Sequence, residues 1–447
     1  LFERLFELSL KTRRNGRQAE ETKEEVMTSK TERFNPSRRS VLKGAAGLAA
    51  GAMTGAVAAP AIAQTQTLHL GTSLPLTGPY ERVAKIYKDA YEFWSEVVGG
   101  KIKVGNRDMD VRWTIYDDEN SAARTAQLTE RLISSDKVDL IVGAYGTDTV
   151  LAQGAIARRH GRVTIQAGAA SQRVDEEVGG HTTFTLVGQG KEYGKLAIEH
   201  LAAQTPKPQT LAIITFDDPV YLEMAAGIKE TAEKNGIKVV LEDVLPMRTQ
   251  DLRPTVLKLK RAGDVDIVYN CGWDVMCIKL AQEFQALDVR PKAFVGGHLT
   301  TNAVVKETLG KGLENILGVT FWLPQMQYKD RYFPTAQAFA DRFRTSKGYA
   351  PTYHAAMAYT VPYLYQTVLE NATEANPLDP AVIRGKLAKL DLADTVWGRI
   401  RFNEKGRINF AGLPVIQWQG TDPQLVVVHP SDIANGKLRY PAPPARG

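Results

Sequence analysis

The residues best suited to chemistry in this chain sit in short loops rather than in a catalytic cluster. Residues 139–149 read Asp-Leu-Ile-Val-Gly-Ala-Tyr-Gly-Thr-Asp-Thr, so three apolar residues run into Gly143, and Tyr145, Gly146 and Thr147 follow. The apolar run suits a buried parallel strand, and the small and hydroxylic residues suit a turn feeding a helix. Such a loop points free backbone N–H groups into a crevice. The pattern returns at 163–171, whose loop carries Ala169, Ala170 and Ser171, and at 266–274, which ends in Trp273 and Asp274. Repeated strand, polar loop and helix place a ligand crevice at the carboxyl ends of parallel strands.

Machinery for bond-breaking is missing from the same loops. The sequence holds no Gly-x-x-x-x-Gly-Lys-Ser/Thr phosphate loop, no His-Glu-x-x-His and no Gly-x-Ser-x-Gly elbow. The seven His residues are scattered without metal-ligand spacing, so no metal or cofactor is expected; His298, in Gly-Gly-His-Leu after a strand, is the one to place near the crevice. Gly188-Gln-Gly190-Lys-Glu-Tyr-Gly194 approaches a dinucleotide fingerprint, but its third Gly is one residue late and no acid lies about 20 residues on. The competing reading is a flexible crossing between lobes.

Aromatic residues are the more informative set. Tyr80, Tyr145, Tyr193, Tyr221, Trp273 and Trp322 all fall in or beside loops on one expected rim, which suits an apolar ligand body, although core packing accounts for any single one. Asp218, in Asp-Asp-Pro, and Asp274 both read equally as helix-start caps.

The elements that must position these loops alternate. Strand signals at 67–73, 111–116, 140–142, 163–166 and 182–186 alternate with helical patterns, and a second series follows with strands at 211–216, 238–244, 265–269 and 293–296. The fold class is therefore α/β, with two doubly wound, Rossmann-like lobes. The expected boundaries are a leader over 1–63, a first lobe over 64–188 plus 297–409, and a second over 189–296 plus 410–447. The tail from 422 is Pro-rich and low in helical periodicity.

Residues 37–43, Ser-Arg-Arg-Ser-Val-Leu-Lys, precede a Gly/Ala-rich run that ends in Ala61-Ile62-Ala63. This resembles a twin-arginine export signal cleaved after Ala63, with Met27 as a candidate true start. The net charge of +6 is partly a leader effect, since the first 63 residues hold 11 basic and 7 acidic residues and the rest 45 and 43. No basic footprint for nucleic acid remains. Cys271 and Cys277 read as two small buried thiols; export would permit a disulfide, and the sequence leaves their pairing open.

In this order, Gly71-Thr-Ser-Leu-Pro-Leu-Thr-Gly-Pro79, Val142-Gly-Ala-Tyr-Gly-Thr147, Gln166-Ala-Gly-Ala-Ala-Ser171, Tyr269-Asn-Cys-Gly-Trp273 and the 394–406 segment resemble the periplasmic solute-binding proteins of the branched-chain amino acid transporter group. The resemblance implies the type I periplasmic binding fold, with two lobes joined by three crossing strands. It implies a monomeric, periplasmic, non-enzymatic protein that closes on a small molecule and delivers it to a membrane permease with cytoplasmic ATPases. A sensory receptor subunit on the same fold is the alternative, and an exported dinucleotide-binding enzyme the more distant one. Carried over by position, Tyr145 to Thr147 and Ala169 to Ser171 would hold a ligand carboxylate, with Tyr80 nearby and Tyr193, Tyr221 and the segment from Trp273 through Asp274 to Met276 opposite; Asp218 and His298 join the candidate set from their own loop positions. Where amino-acid binders keep an acid for the ligand ammonium, this chain has Met276, which points to a carboxylate with an apolar or aromatic body, so the expected ligands are an aromatic or branched aliphatic acid, with a branched-chain amino acid kept beside them.

Overall fold

The computed structural model describes residues 66–442 apart from His181, Ala411 and Asp432, so the expected leader and cleavage site lie outside the described residues. Strands β1 (Gln66–Leu74), β2 (Lys101–Val104), β3 (Arg107–Asp117), β4 (Leu140–Val142), β5 (Thr164–Gln166) and β6 (Thr183–Thr185) form one sheet in the order β2-β3-β1-β4-β5-β6. All neighbours are parallel except β2, which pairs antiparallel with β3. The β4 run Leu-Ile-Val is buried throughout, as a strand covered on both faces must be.

A second sheet takes β7 (Thr210–Phe216), β8 (Lys238–Leu245), β9 (Ile267–Cys271), β10 (Ala293–Val295), β11 (Leu317–Val319), β14 (Val415–Gln419) and β15 (Gln424–His429), in the order β15-β14-β11-β10-β9-β7-β8. Its first five strands in chain order are parallel, and β14 and β15 close the far edge as an antiparallel pair. The short pair β12 (Asp391–Leu392) and β13 (Ile400–Arg401) stands apart. Strand order reverses direction beside β1 in the first sheet and beside β7 in the second. Loops leaving the strands at such switch points diverge and leave a crevice between them.

The chain passes from one sheet to the other at 186–190, at 320–335 and at 408–414. Leu317–Val319 pairs with β10 and β14, so this part of the 297–409 segment expected in the first lobe lies with the second sheet. The Pro-rich tail also carries a strand, β15, whose Val426-Val427-Val428 run gives no helical period to detect.

Two helices brace the first sheet. Glu81–Val97 turns Ala84, Tyr87, Tyr91 and Trp94 inward at three- and four-residue spacing. Tyr353–Glu370 is buried along nearly its whole length and packs beside it, with Trp94 Nε1 donating to Gln366 Oε1 at 3.1 Å. Cys271 and Cys277 are free and buried, and burial pushes both thiols well up from their ordinary range. They are packing groups in the second sheet and its helix.

Candidate ligand site

The loops at the carboxyl ends of both sheets meet around one crevice with two adjoining cavities, an inner one of about 90 Å³ walled mostly by buried residues and an outer one of about 510 Å³ that also takes in the exposed Pro79, Arg82, Arg248 and Gln250. Tyr80, Tyr145, Asp218, Tyr221, His298, Tyr353 and His354 border both.

From the first sheet, the loop after β4 supplies Tyr145, Gly146 and Thr147. Gly146 sits at φ +106°, a left-handed conformation that costs glycine nothing, and this lets the helix Thr147–Arg159 start at the wall. The first intrahelical acceptor is Gly146 O for Val150 N, so the amides of the opening turn have no helical partner and lie at the positive end of the dipole. Buried Gln153 braces this loop, accepting from Ala144 N at 2.9 Å and donating to Val142 O at 3.2 Å. The Thr149 hydroxyl donates back to Tyr145 O at 2.6 Å.

A second buried glutamine shapes the loop after β5. Gln166 Oε1 accepts from Gly168 N at 2.7 Å and Ala169 N at 2.9 Å, while its Nε2 donates to Thr185 Oγ1 at 2.8 Å. Tyr87 OH donates to Ala167 O at 2.7 Å from the side. The backbone of 167–170 that lines the inner cavity is thus held by Gln166, which does not line it, and by Tyr87, which does.

From the second sheet, Asp218 does two things at once. It accepts from Val220 N at 3.0 Å as the cap of the helix Pro219–Lys234, and it lines both cavities. Burial pushes its carboxyl up from the ordinary range, against the opposing pull of the Val220 and Tyr221 amides. Asp274 lines the outer cavity beside Trp273, with Arg82 Nη2 at 2.5 Å and Asn302 Nδ2 at 2.8 Å on the same carboxylate oxygen.

Two histidines complete the wall. Burial pushes His298 down to about 4 and His354 down to about 3, so both are neutral at ordinary pH. His354 stacks on Tyr353 with ring centroids 3.9 Å apart. Tyr193 packs edge-on to His298 at 5.5 Å, and Tyr80 edge-on to Tyr145 at 5.6 Å. Among the described residues, the inner cavity is lined by no Lys or Arg, and its one acid is the capping Asp218.

Of the residues singled out in the sequence, Tyr80, Tyr145, Gly146, Thr147, Ala169, Ala170, Tyr193, Asp218, Tyr221 and His298 line the inner cavity, and Trp273 and Asp274 the outer. Ser171 and Met276 line neither. The Ser171 hydroxyl caps the helix Gln172–Glu177 and donates to Glu223, so it is already occupied. Met276 is in the core on the inner side of its helix, so the residue type at that position says nothing directly about the ligand. Trp322 is likewise a core residue, its Nε1 donating to Val396 O at 2.8 Å.

Gly188 of the near-fingerprint packs against Phe410, where a Cβ would come within 2.1 Å of the ring. Close packing of the crossing, rather than a phosphate, accounts for it. Sequence reading missed Tyr353, His354 and Met357, which line the inner cavity from the first turn of their helix. The signal available was two aromatic rings and a Met at one-turn spacing after Pro351-Thr352.

Residues 67–422 match the family model described as periplasmic binding protein. The chain is 24% identical over 402 residues to Leu/Ile/Val-binding protein homolog 7 of Brucella abortus (strain 2308), covering 86% of this chain and 96% of the relative. Its fold is that of a solute-binding protein from R. palustris in complex with benzoate, at TM-score 0.69 and 17% identity over 81% of this chain and 96% of that one. It is also that of the branched-chain amino acid transporter substrate-binding protein from Streptococcus pneumoniae in complex with isoleucine, at TM-score 0.67 and 17% identity over 82% and 100%. With two α/β sheets facing one crevice and this match over most of its length, the chain belongs to the periplasmic binding protein family.

Proposed function

We propose that this protein is the periplasmic substrate-binding subunit of an importer driven by cytoplasmic ATPases, and that it closes on a small carboxylate with an aromatic body. The two sheets act as two lobes, the cavity closes between them, and a membrane permease reads the closed state. Export by the twin-arginine route, cleavage after Ala63 and a monomeric working form belong to the same reading.

The observation that carries the ligand class is the charge of the wall. The inner cavity offers the opening amides of the helix Thr147–Arg159, which suit an anion without a Lys or Arg, while the Gly168 and Ala169 amides of the 167–170 wall are taken by Gln166. Tyrosines and neutral histidines cover the rest. A ligand ammonium would need a free carboxylate, since burying a cation unpaired is expensive. Asp218 gives one carboxylate oxygen to its cap, and burial raises its carboxyl toward the neutral acid; Asp274 is held by Arg82 and Asn302. The benzoate-bound solute-binding protein of the same fold is in keeping with this class, and the isoleucine-bound one marks the rival.

A thermal-shift screen across aromatic acids, aliphatic acids, amino acids, sugars and nucleosides tests the reading. An aromatic acid at about 100 times its dissociation constant should stabilise the fold by roughly 2.7 kcal/mol. Shifts confined to sugars or nucleosides would rule the class out.

A further inference from the structure

Among the described residues, polar contacts bridge the two sheets on either side of the cavity, and the two sides differ in kind. On one side Glu223, from the helix Pro219–Lys234, takes the Ser171 hydroxyl and, at 2.9 Å, the Gln172 amide. That contact lies beside the 186–190 crossing. Gly190 N donates to Ala170 O at 3.0 Å there, and buried Arg407 ties Ser171 O at 2.9 Å, Val187 O at 2.8 Å and Asp175 Oδ1 at 2.7 Å together. So many bonds to the crossing make this side a pivot.

The other contact has no such neighbours. Arg82, in the first turn of the helix Glu81–Val97, reaches Asp274, the first residue of the helix Asp274–Leu287, across 192 positions of chain. The Asp274 side chain is 0% exposed and that of Arg82 59% exposed. The other donors to Asp274 are Val275 N at 2.8 Å and Asn302 Nδ2 at 2.8 Å, both neutral and both on the second sheet's side. Among the described residues, Arg82 is thus the cation that balances a carboxylate buried in the closed arrangement. Parting the sheets would return Asp274 to water, where it needs no partner. Closing them without Arg82 would bury it unpaired, and that is the costly way to break such a pair.

We propose that the Arg82–Asp274 pair is a closure latch: it sets ligand affinity through the population of the closed state and without bonding to the ligand. The proposal rests on the reading of the two sheets as lobes that close on a ligand. Affinity measured on a protein that is closed only part of the time falls in proportion to the closed fraction. Arg82 acts as a positioning residue, and its loss weakens every ligand by one factor.

The test compares wild type, Arg82→Ala and the double variant Arg82→Ala/Asp274→Asn, read by small-angle X-ray scattering without ligand and by titration with benzoate. The single variant should show a larger radius of gyration than wild type and bind benzoate roughly tenfold more weakly. The double variant, which no longer buries a lone charge, should regain most of both. A single variant as compact as wild type, or a double variant as expanded and as weak as the single one, overturns the latch. A double variant as compact as wild type but as weak as the single one also overturns it, and places Arg82 on the ligand carboxylate itself. If benzoate binds none of the three, the ligand class fails while the scattering still decides the latch.

Discussion

The hydroxyl of Ser171 donates to the carboxylate of Glu223, which also accepts the Gln172 amide at 2.9 Å. An oxygen that the family resemblance assigns to a ligand carboxylate is bonded to one of the protein's own. Ser171→Ala should therefore lower stability by about 1.5–3 kcal/mol, since it removes a bond to a charged acceptor and the cap on Arg173 N. It should weaken an aromatic acid and its neutral amide by the same factor in parallel titrations. A loss confined to the acid would return Ser171 to the ligand.

Gln166 carries the shape of the 167–170 wall through two backbone amides. Gln166→Ala leaves both without an acceptor in a buried place, at a cost of about 1–3 kcal/mol. Chemical denaturation should read that loss, and ligand titration should weaken with it. Unchanged stability would mean that the loop holds itself.

Tyr80 is half-buried at the rim of both cavities, where truncation disturbs the core least. Tyr80→Ala should weaken an aromatic acid by about 1–2 kcal/mol and an aliphatic acid of similar length by less, because ring–ring contact is lost only with the former. Equal losses would place the ligand ring elsewhere.

Acid should loosen the fold in a defined window. His298 and His354 are buried neutral, with values lowered to about 4 and about 3 from 6.5. A base whose value is depressed on folding gives stability that is full above the unfolded value and is lost as pH falls through it. The loss should begin near pH 6.5 and run to about pH 4 for His298 and about pH 3 for His354, each steepening the curve by up to about 1.4 kcal/mol per pH unit. Asp218, raised by burial, works in the opposite sense and stabilises toward acid. Denaturation midpoints between pH 7 and 4 should fall less steeply in His354→Gln than in wild type; equal slopes would mean that His354 does not stay neutral.

The sheets and the first-sheet loops were legible because they rest on local pattern. A run such as Leu140–Val142 is readable as a buried strand from composition alone, and Asp218 before Pro219 is readable as a cap. What escaped depends on contacts far apart in the chain. Tyr353 and His354 open a helix apolar on every side, so no stripe marked the turn that meets the crevice. Arg82 and Asp274 each look ordinary at a helix start, and nothing local pairs them across 192 positions. Ser171 and Met276 failed for a related reason. Position after a strand does not fix side-chain direction; for Ser171 that depends on Glu223, and for Met276 on how its helix packs.

The proposed ligand is an anion without an ammonium group, held by backbone amides among neutral rings. Calorimetric titration with benzoate and with phenylalanine at pH 7 tests this reading most directly, since both carry a ring and a carboxylate and only the second carries an ammonium. Saturable one-to-one binding of benzoate, with phenylalanine at least about tenfold weaker (about 1.4 kcal/mol), is the expected result. Tighter binding of phenylalanine would show that a wall carboxylate, Asp218 or Asp274, is free to hold a cation, and would contradict it.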